Sequence, residues 1–253
     1  MIAKSNILPD ISDHKYSVQI AKTENEIREA LQLRYRVFYK ELKREFDSDR
    51  AIDKDEFDDQ CHHLIVKEIS SDKLIGTYRL QTYEQAAAGA GFYSDTLFKM
   101  DDLPEFVLKN GFEVGRACIE ESHRNGRVLF LLWKGFAGYL NHFRKQYLFG
   151  SLGIPAESIE DGAAVYNRLI DRGYLHSDYL VRPRDSYSCN FDDIETNGTG
   201  EAKTTALLQN YIKIGCKICS RPAYHSGLKL LYVMVILDVK TISPKIRRMF
   251  FDT

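Results

Sequence analysis

The chain has 253 residues, 44% of them hydrophobic, and a formal net charge of −1 from 35 Lys and Arg against 36 Asp and Glu. That length and apolar content are enough to bury a full core, and the near balance of charge removes the basic surplus that marks nucleic-acid binders. Five scattered cysteines without an apolar leader point to a reducing cytoplasm rather than a disulfide scaffold, and the apolar runs fall short of the roughly 20 residues that span a bilayer.

After a polar arm over residues 1–15, a first strand is predicted at 16–21 and a helix at 24–42. Thr23 is placed to cap that helix, with Glu26 completing a reciprocal capping box. At about 100° per residue, Ile27, Ala30, Leu31, Phe38 and Leu42 share one face, and Arg34 falls at its centre, so a buried partner is required for Arg34. Residues 45–59 carry eight acids against two bases with no helical period and read as a loop. Strands at 63–69 and 74–82 follow, joined by the turn Ser70-Ser71-Asp72-Lys73. Arg79 lies on the Ile75 and Thr77 face of its strand and brings a second charge toward an apolar layer.

The small-residue run at 86–91 reads as a loop, and its Gly89-Ala90-Gly91 lacks the strand-to-helix setting of a dinucleotide fingerprint. Next come a strand at 112–120, a charged turn at 122–127, a helix at 128–145, a strand at 147–154 and a helix at 159–172 stopped near Gly173. Residues 182–205 are polar and read as a mobile loop. A helix at 204–214, strands at 217–220 and 230–239 and a basic amphipathic tail helix at 244–251 close the chain. The pattern is α/β: one domain over 1–253, with the loop at 182–205 and a C-terminal extension at 204–253.

Three places look chemical. In the strand Phe112-Glu113-Val114-Gly115-Arg116, Glu113 and Arg116 would face opposite ways unless Gly115 admits a β-bulge that re-aims one of them, and a structural ion pair is the alternative. The turn holding Arg124, Gly126 and Arg127 opens a helix, whose free N–H groups and dipole suit a phosphate, although an ordinary solvated turn has the same composition. Arg34 and Arg79, with Asp55 and Asp58 as partners, make either a buried salt bridge or the wall of a pocket for a charged substrate. Cys118 with His62, His63 or His123 is a core thiol before it is a nucleophile, and Cys216 and Cys219 lack the second pair of a zinc site, so no metal is expected.

In order and spacing, Leu33-Arg34-Tyr35-Arg36-Val37-Phe38, Asp55-Glu56-Phe57-Asp58, Gly76-Thr77-Tyr78-Arg79-Leu80 and Phe112-Glu113-Val114-Gly115-Arg116 resemble the shared elements of acyl-homoserine-lactone synthases and related long-chain N-acyltransferases of the GNAT fold. The ornithine N-acyltransferases of ornithine lipid synthesis are similar also in Gly91-Phe92-Tyr93-Ser94, Leu131-Leu132-Trp133-Lys134-Gly135 and Tyr147-Leu148-Phe149-Gly150. The resemblance implies a mixed, mostly antiparallel central sheet flanked by helices. It implies a 3-hydroxyacyl thioester of acyl carrier protein as donor, L-ornithine as acceptor, lyso-ornithine lipid as product, and no cofactor beyond the donor's phosphopantetheine. It also implies Glu113 and Arg116 as catalytic residues and Arg34, Phe38, Asp55, Asp58 and Arg79 as substrate-binding, while the helix start at Arg124, Gly126 and Arg127, read above as suited to a phosphate, is assigned to the donor phosphopantetheine. Acylation of glycine or another amino acid, and a non-catalytic binder of acyl carrier protein or acylated signals, stay open. The tail residues Lys245, Arg247 and Arg248 beside Met249, Phe250 and Phe251 would suit an anionic membrane surface, which allows peripheral attachment to the inner membrane.

Overall fold

The computed structural model describes residues 7–41, 51–188 and 204–251. Two compact units divide the chain: Met1–Ala90, Val114–Lys145 and Pro244–Thr253 form the first, and Gly91–Glu113 and Gln146–Ser243 form the second.

In the first unit, β1 (Ile11–Ser12), β2 (Tyr16–Ile20), β3 (His62–Glu68) and β4 (Lys73–Thr82) pair antiparallel in sequence order, and β4 neighbours β5 (Gly111–Ile119), whose later half belongs here. Side chains alternate between the two faces of the sheet. Leu64 and Tyr78 meet α4 (Arg127–Phe143): the Leu64 methyls close on Gly135, and the Tyr78 ring stands edge-on to Phe136 at 4.9 Å. On the other face, Ile65 and Leu74 form a core with Cys118 and with Ala30, Leu33 and Val37.

Ala30 and Leu33 come from α1 (Glu24–Tyr35), which starts with the predicted Thr23/Glu26 capping box. The predicted single helix to residue 42 is instead an α-helix to Tyr35 followed by a π-helical turn, Arg36–Glu41, a wider winding that apolar periodicity does not distinguish. The run predicted as a small-residue loop begins as α2 (Tyr83–Ala88), because Thr82 and Gln85 make a second capping box. The tail forms α7 (Pro244–Phe250), with Phe250 buried against Phe130 and Trp133 of α4 while Lys245 and Arg248 stay exposed.

In the second unit, the opening of β5 pairs in parallel with β6 (Tyr147–Pro155), Gly111 through Glu113 against Tyr147 through Phe149. β6 then runs antiparallel to β9 (Leu230–Asp238) along its whole length, and β7 (Lys217–Ile218) and β8 (Ala223–His225) also pair with β9. α5 (Ile159–Asp171), capped by Ser158, packs on β9, and α6 (Ala206–Ile214) is capped by Thr205. α3 (Glu105–Lys109), not predicted, follows Pro104 and leads into Gly111. A Cβ on Gly111 would lie 2.7 Å from a Phe149 ring carbon and 2.8 Å from the Val107 carbonyl oxygen, a backbone atom that cannot step aside. Gly111→Ala is therefore expected to lower stability by about 1–3 kcal/mol, read as a lower urea midpoint. A midpoint equal to the parent's would show that the turn relaxes freely.

Candidate active site

The charged residues of the first unit are carried by α1, β3, β4, β5 and the acidic stretch between α1 and β3. Arg34 stands in the last turn of α1 on its buried face, and Arg79 and His63 lie opposite each other on β4 and β3, on the face that α1 covers. Asp53, Asp55 and Asp58 come from the acidic stretch that runs past them.

These groups form one alternating chain of charges. Arg34 donates through Nε to Asp53 Oδ2 at 2.9 Å, and its two terminal nitrogens fork onto Asp58 at 2.5 and 3.1 Å. Arg79 donates to Asp58 Oδ1 at 3.1 Å and to Asp55 Oδ1 at 2.5 Å, and Arg116 donates to Asp55 Oδ2 at 2.8 Å. The order is Asp53–Arg34–Asp58–Arg79–Asp55–Arg116, three of each sign. It begins in the interior, where Arg34 and Asp58 are 1% exposed, and ends where Asp55 is 22% and Arg116 20% exposed. The forked guanidinium contacts are the geometry that makes Arg the natural partner here.

Burial pushes the Asp58 carboxyl upward, but Arg34, Arg79 and the Asp55 N–H outweigh it and hold the group well below the usual carboxylate range. The Arg34 guanidinium is raised, Asp58 and Asp53 overcoming its burial. Burial, reinforced by Asp53, pushes the Tyr39 phenol up to about 12, and its hydroxyl donates to Asp53 Oδ1 at 3.2 Å. Burial lowers His63, whose Nε2 lies 3.3 Å from the Asp58 carbonyl oxygen, so this imidazole stays neutral beside the arginines.

Arg116 has a left-handed backbone, φ +53°, in the middle of a strand. The irregularity foreseen at Gly115 thus falls on its neighbour, at a cost of about 1–2 kcal/mol for a residue with a side chain. The Arg116 guanidinium carbon lies 5.9 Å from the centre of the Phe38 ring, which brings Phe38 to the exposed end of the charge chain. Beyond its two chain neighbours, no described atom lies within 4 Å of where a Cβ on Gly115 would be.

Arg34, Phe38, Asp55, Asp58, Arg79 and Arg116 are thereby brought together. Asp53 and Tyr39 join them without having been singled out, the one prior signal being the demand of Arg34 for a buried partner; His63, considered above only as a base for Cys118, joins them as well. Arg124, Gly126 and Arg127 sit at the start of α4, where Gly126 takes φ +86°. There Arg124 donates to the Ile119 carbonyl, Arg127 pairs with Asp13 at 2.7 Å, and the Arg127 N–H is capped by Asn125. Glu113 belongs to the second unit: its two oxygens accept the backbone N–H of Tyr93 at 2.9 Å and of Ser94 at 2.7 Å, and Ser94 Oγ meets Ser151 Oγ at 2.6 Å. Burial raises the thiols of Cys118, Cys216 and Cys219, which makes them poor nucleophiles, and no metal-ligating group of three occurs among the described residues.

The model of the acetyltransferase (GNAT) domain family matches residues 33–134. That span contains all ten of these predicted positions. An L-ornithine N(alpha)-acyltransferase of Agrobacterium fabrum is 29% identical over 246 residues, covering 90% of this chain and 82% of its own. One from Rhodobacter capsulatus is 25% identical, covering 93% and 94%. Among solved structures, the CoA-dependent acyl-homoserine lactone synthase BjaI, bound to SAM and isopentyl-CoA, superposes with a TM-score of 0.52 at 11% identity, covering 90% of this chain and 82% of that one. The AHL synthase LasI gives 0.50 at 12% identity, covering 94% and 95%.

Proposed function

We propose that this protein, which has the GNAT acyltransferase fold and is related to the L-ornithine N(alpha)-acyltransferases, moves a long-chain 3-hydroxyacyl group from acyl carrier protein to the α-amino group of L-ornithine, giving lyso-ornithine lipid. The observation that carries the reading is the chain of six charges that leaves the core and ends on an Asp55–Arg116 pair. Buried charge is expensive, and a protein that needed only stability would do as well with apolar residues there.

In this reading the acceptor's carboxylate is met by Arg116, with Phe38 beneath the guanidinium and Arg34, Asp58 and Arg79 holding Asp55 in place. The neutral α-amine attacks the thioester carbonyl, and the tetrahedral oxyanion collapses to expel the pantetheine thiol. Glu113, directly or through a water, takes the amine proton. Backbone N–H groups of the strand around Gly115 and Arg116 polarise the carbonyl, and Arg124, Gly126 and Arg127 meet the donor's phosphate end. The enzyme would work in the cytoplasm, where its donor is. No helix among the described residues is long and apolar enough to cross a membrane, and the exposed Lys245 and Arg248 of α7 would let it rest on an anionic surface to release its amphiphilic product.

The test is the purified protein with 3-hydroxyacyl carrier protein and with acyl-coenzyme A, each against a panel of amino acids, with products read by mass spectrometry. N-acylornithine formed from the carrier thioester is expected. Failure to acylate any amino acid would overturn the reading.

A further inference from the structure

We infer that Arg184 positions Glu113: it braces the turn whose backbone N–H groups hold the Glu113 carboxylate, and so sets where that carboxylate meets the acceptor's amine. The inference rests on the N-acyltransferase reading with Glu113 as its base, and adds to it a positioning residue that acts through the backbone of another segment.

Glu113 and the groups that fix it lie in the second unit. Its buried carboxylate accepts the first two N–H groups of the 3-10 turn Tyr93–Thr96, which has no side-chain cap of its own. The carboxylate thus stands where a cap would stand, and wherever the turn goes Glu113 must follow. A single turn does not hold its own place, because it fixes several dihedrals for very few hydrogen bonds. Its position comes from outside. At one end the Phe92 ring stands edge-on to Phe149 at 5.2 Å and Ser94 Oγ meets Ser151 Oγ.

The other end is held by the start of the stretch predicted as a mobile loop, whose described residues, 182–188, are tied down instead. The Lys99 N–H donates to the Arg182 carbonyl at 2.8 Å and the Arg184 N–H to the Leu97 carbonyl at 2.9 Å, with Phe98 and Pro183 bridged antiparallel between them. Arg182 forks onto Asp102 at 2.9 and 2.5 Å, and Lys99 meets Asp185 at 2.8 Å. Those bonds anchor residues 97–102. Arg184 reaches back to the turn itself: Nη2 lies 2.7 Å from Asp95 Oδ1, and Nε donates to the Asp95 carbonyl oxygen, one residue past Ser94. With Arg184 44% and Asp95 45% exposed, this pair adds little to stability. Its consequence is geometric. A guanidinium bonded to both the carboxylate and the main chain of Asp95 restricts the peptide that follows Ser94, and a base misplaced by about 1 Å loses about a hundredfold in rate.

The test is a double-mutant cycle on the full-length protein with one acyl thioester and L-ornithine. Arg184→Ala is expected to lower kcat by about tenfold or more with KM for each substrate within about threefold of the parent's. Arg184→Lys, which keeps a charge and a donor within reach of Asp95, is expected to recover part of the rate. In the Glu113→Gln background the same Arg184→Ala change should cost less than about twofold, because no base is left to misplace. An equal cost in the two backgrounds, a loss confined to KM, or a parent rate for Arg184→Ala overturns the inference while leaving the acyltransferase reading standing. If Arg184→Ala does not fold, Arg184→Lys is compared in the two backgrounds, and an equal cost in both again overturns it. A parent rate for Glu113→Gln removes the base and this inference together. Absence of turnover with any amino acid sinks the acyltransferase reading as well.

Discussion

Arg34→Met is expected to lower the unfolding free energy by about 3–5 kcal/mol, a fall of roughly 10 °C in thermal midpoint for a chain of this length. Methionine fills much of the same volume, so lost packing is not the main effect. Two carboxylates, Asp53 and Asp58, lose the cation between them at sites 5% and 1% exposed, and water cannot replace it. Arg34→Lys should be intermediate, since an ammonium keeps the charge but not the fork onto Asp58. The sign with pH follows from Asp58. Its carboxyl is held below the ordinary value in the folded chain, so its contribution to stability is complete above that ordinary value and drains away as acid approaches the folded one. Without Arg34 the acid limb of stability becomes shallower. Urea titrations of both variants at neutral and acid pH would check this, and an Arg34→Met midpoint within error of the parent's would mean that the chain of charges is not continuous in solution.

Glu113→Gln is expected to slow turnover by about 10²–10⁴-fold while the far-ultraviolet circular dichroism stays that of the parent. Two physical routes lead to a loss. Glutamine removes the group to which the proposed mechanism gives the amine proton, and it also turns an amide NH2 toward one of the two backbone N–H groups that the carboxylate now accepts, from Tyr93 and Ser94. The routes separate in the pH profile. Loss of a base abolishes the acid limb of kcat/KM, whereas a displaced Tyr93–Ser94 segment lowers the whole profile without changing its shape. A rate close to the parent's would remove Glu113 as the base.

What the sequence revealed depends on how locally each feature is encoded. The Thr23 and Glu26 box was legible because its partners lie three residues apart, and the placement of Arg34 followed from helical period alone. Arg79 was readable because strand alternation puts it beside Ile75 and Thr77. The same local logic was available at Thr82 and Gln85, where the run of alanines and glycines drew attention to a loop and hid the short helix α2. Asp53 could not be separated from its neighbours. Eight acids within one aperiodic stretch offer no period, and which carboxylate reaches a guanidinium is decided by the path of the chain in space. The sequence allows a β-bulge at Gly115, and the left-handed backbone falls on the next residue, Arg116, which departs from the rule that glycine is the usual tenant of that conformation.

The alternation of the six charges bears on how fast the acceptor arrives. Three positive and three negative groups in succession cancel one another within a few bond lengths, so little field reaches beyond the roughly 8 Å over which physiological salt screens it. On the proposed reading, an amino acid approaching from bulk solution is neither drawn in nor turned away at long range. Its capture then depends on how much of it is present and on the fit at contact, and unlike a site with a single sign of charge, this one gives no electrostatic advantage to the many cellular anions that share the carboxylate.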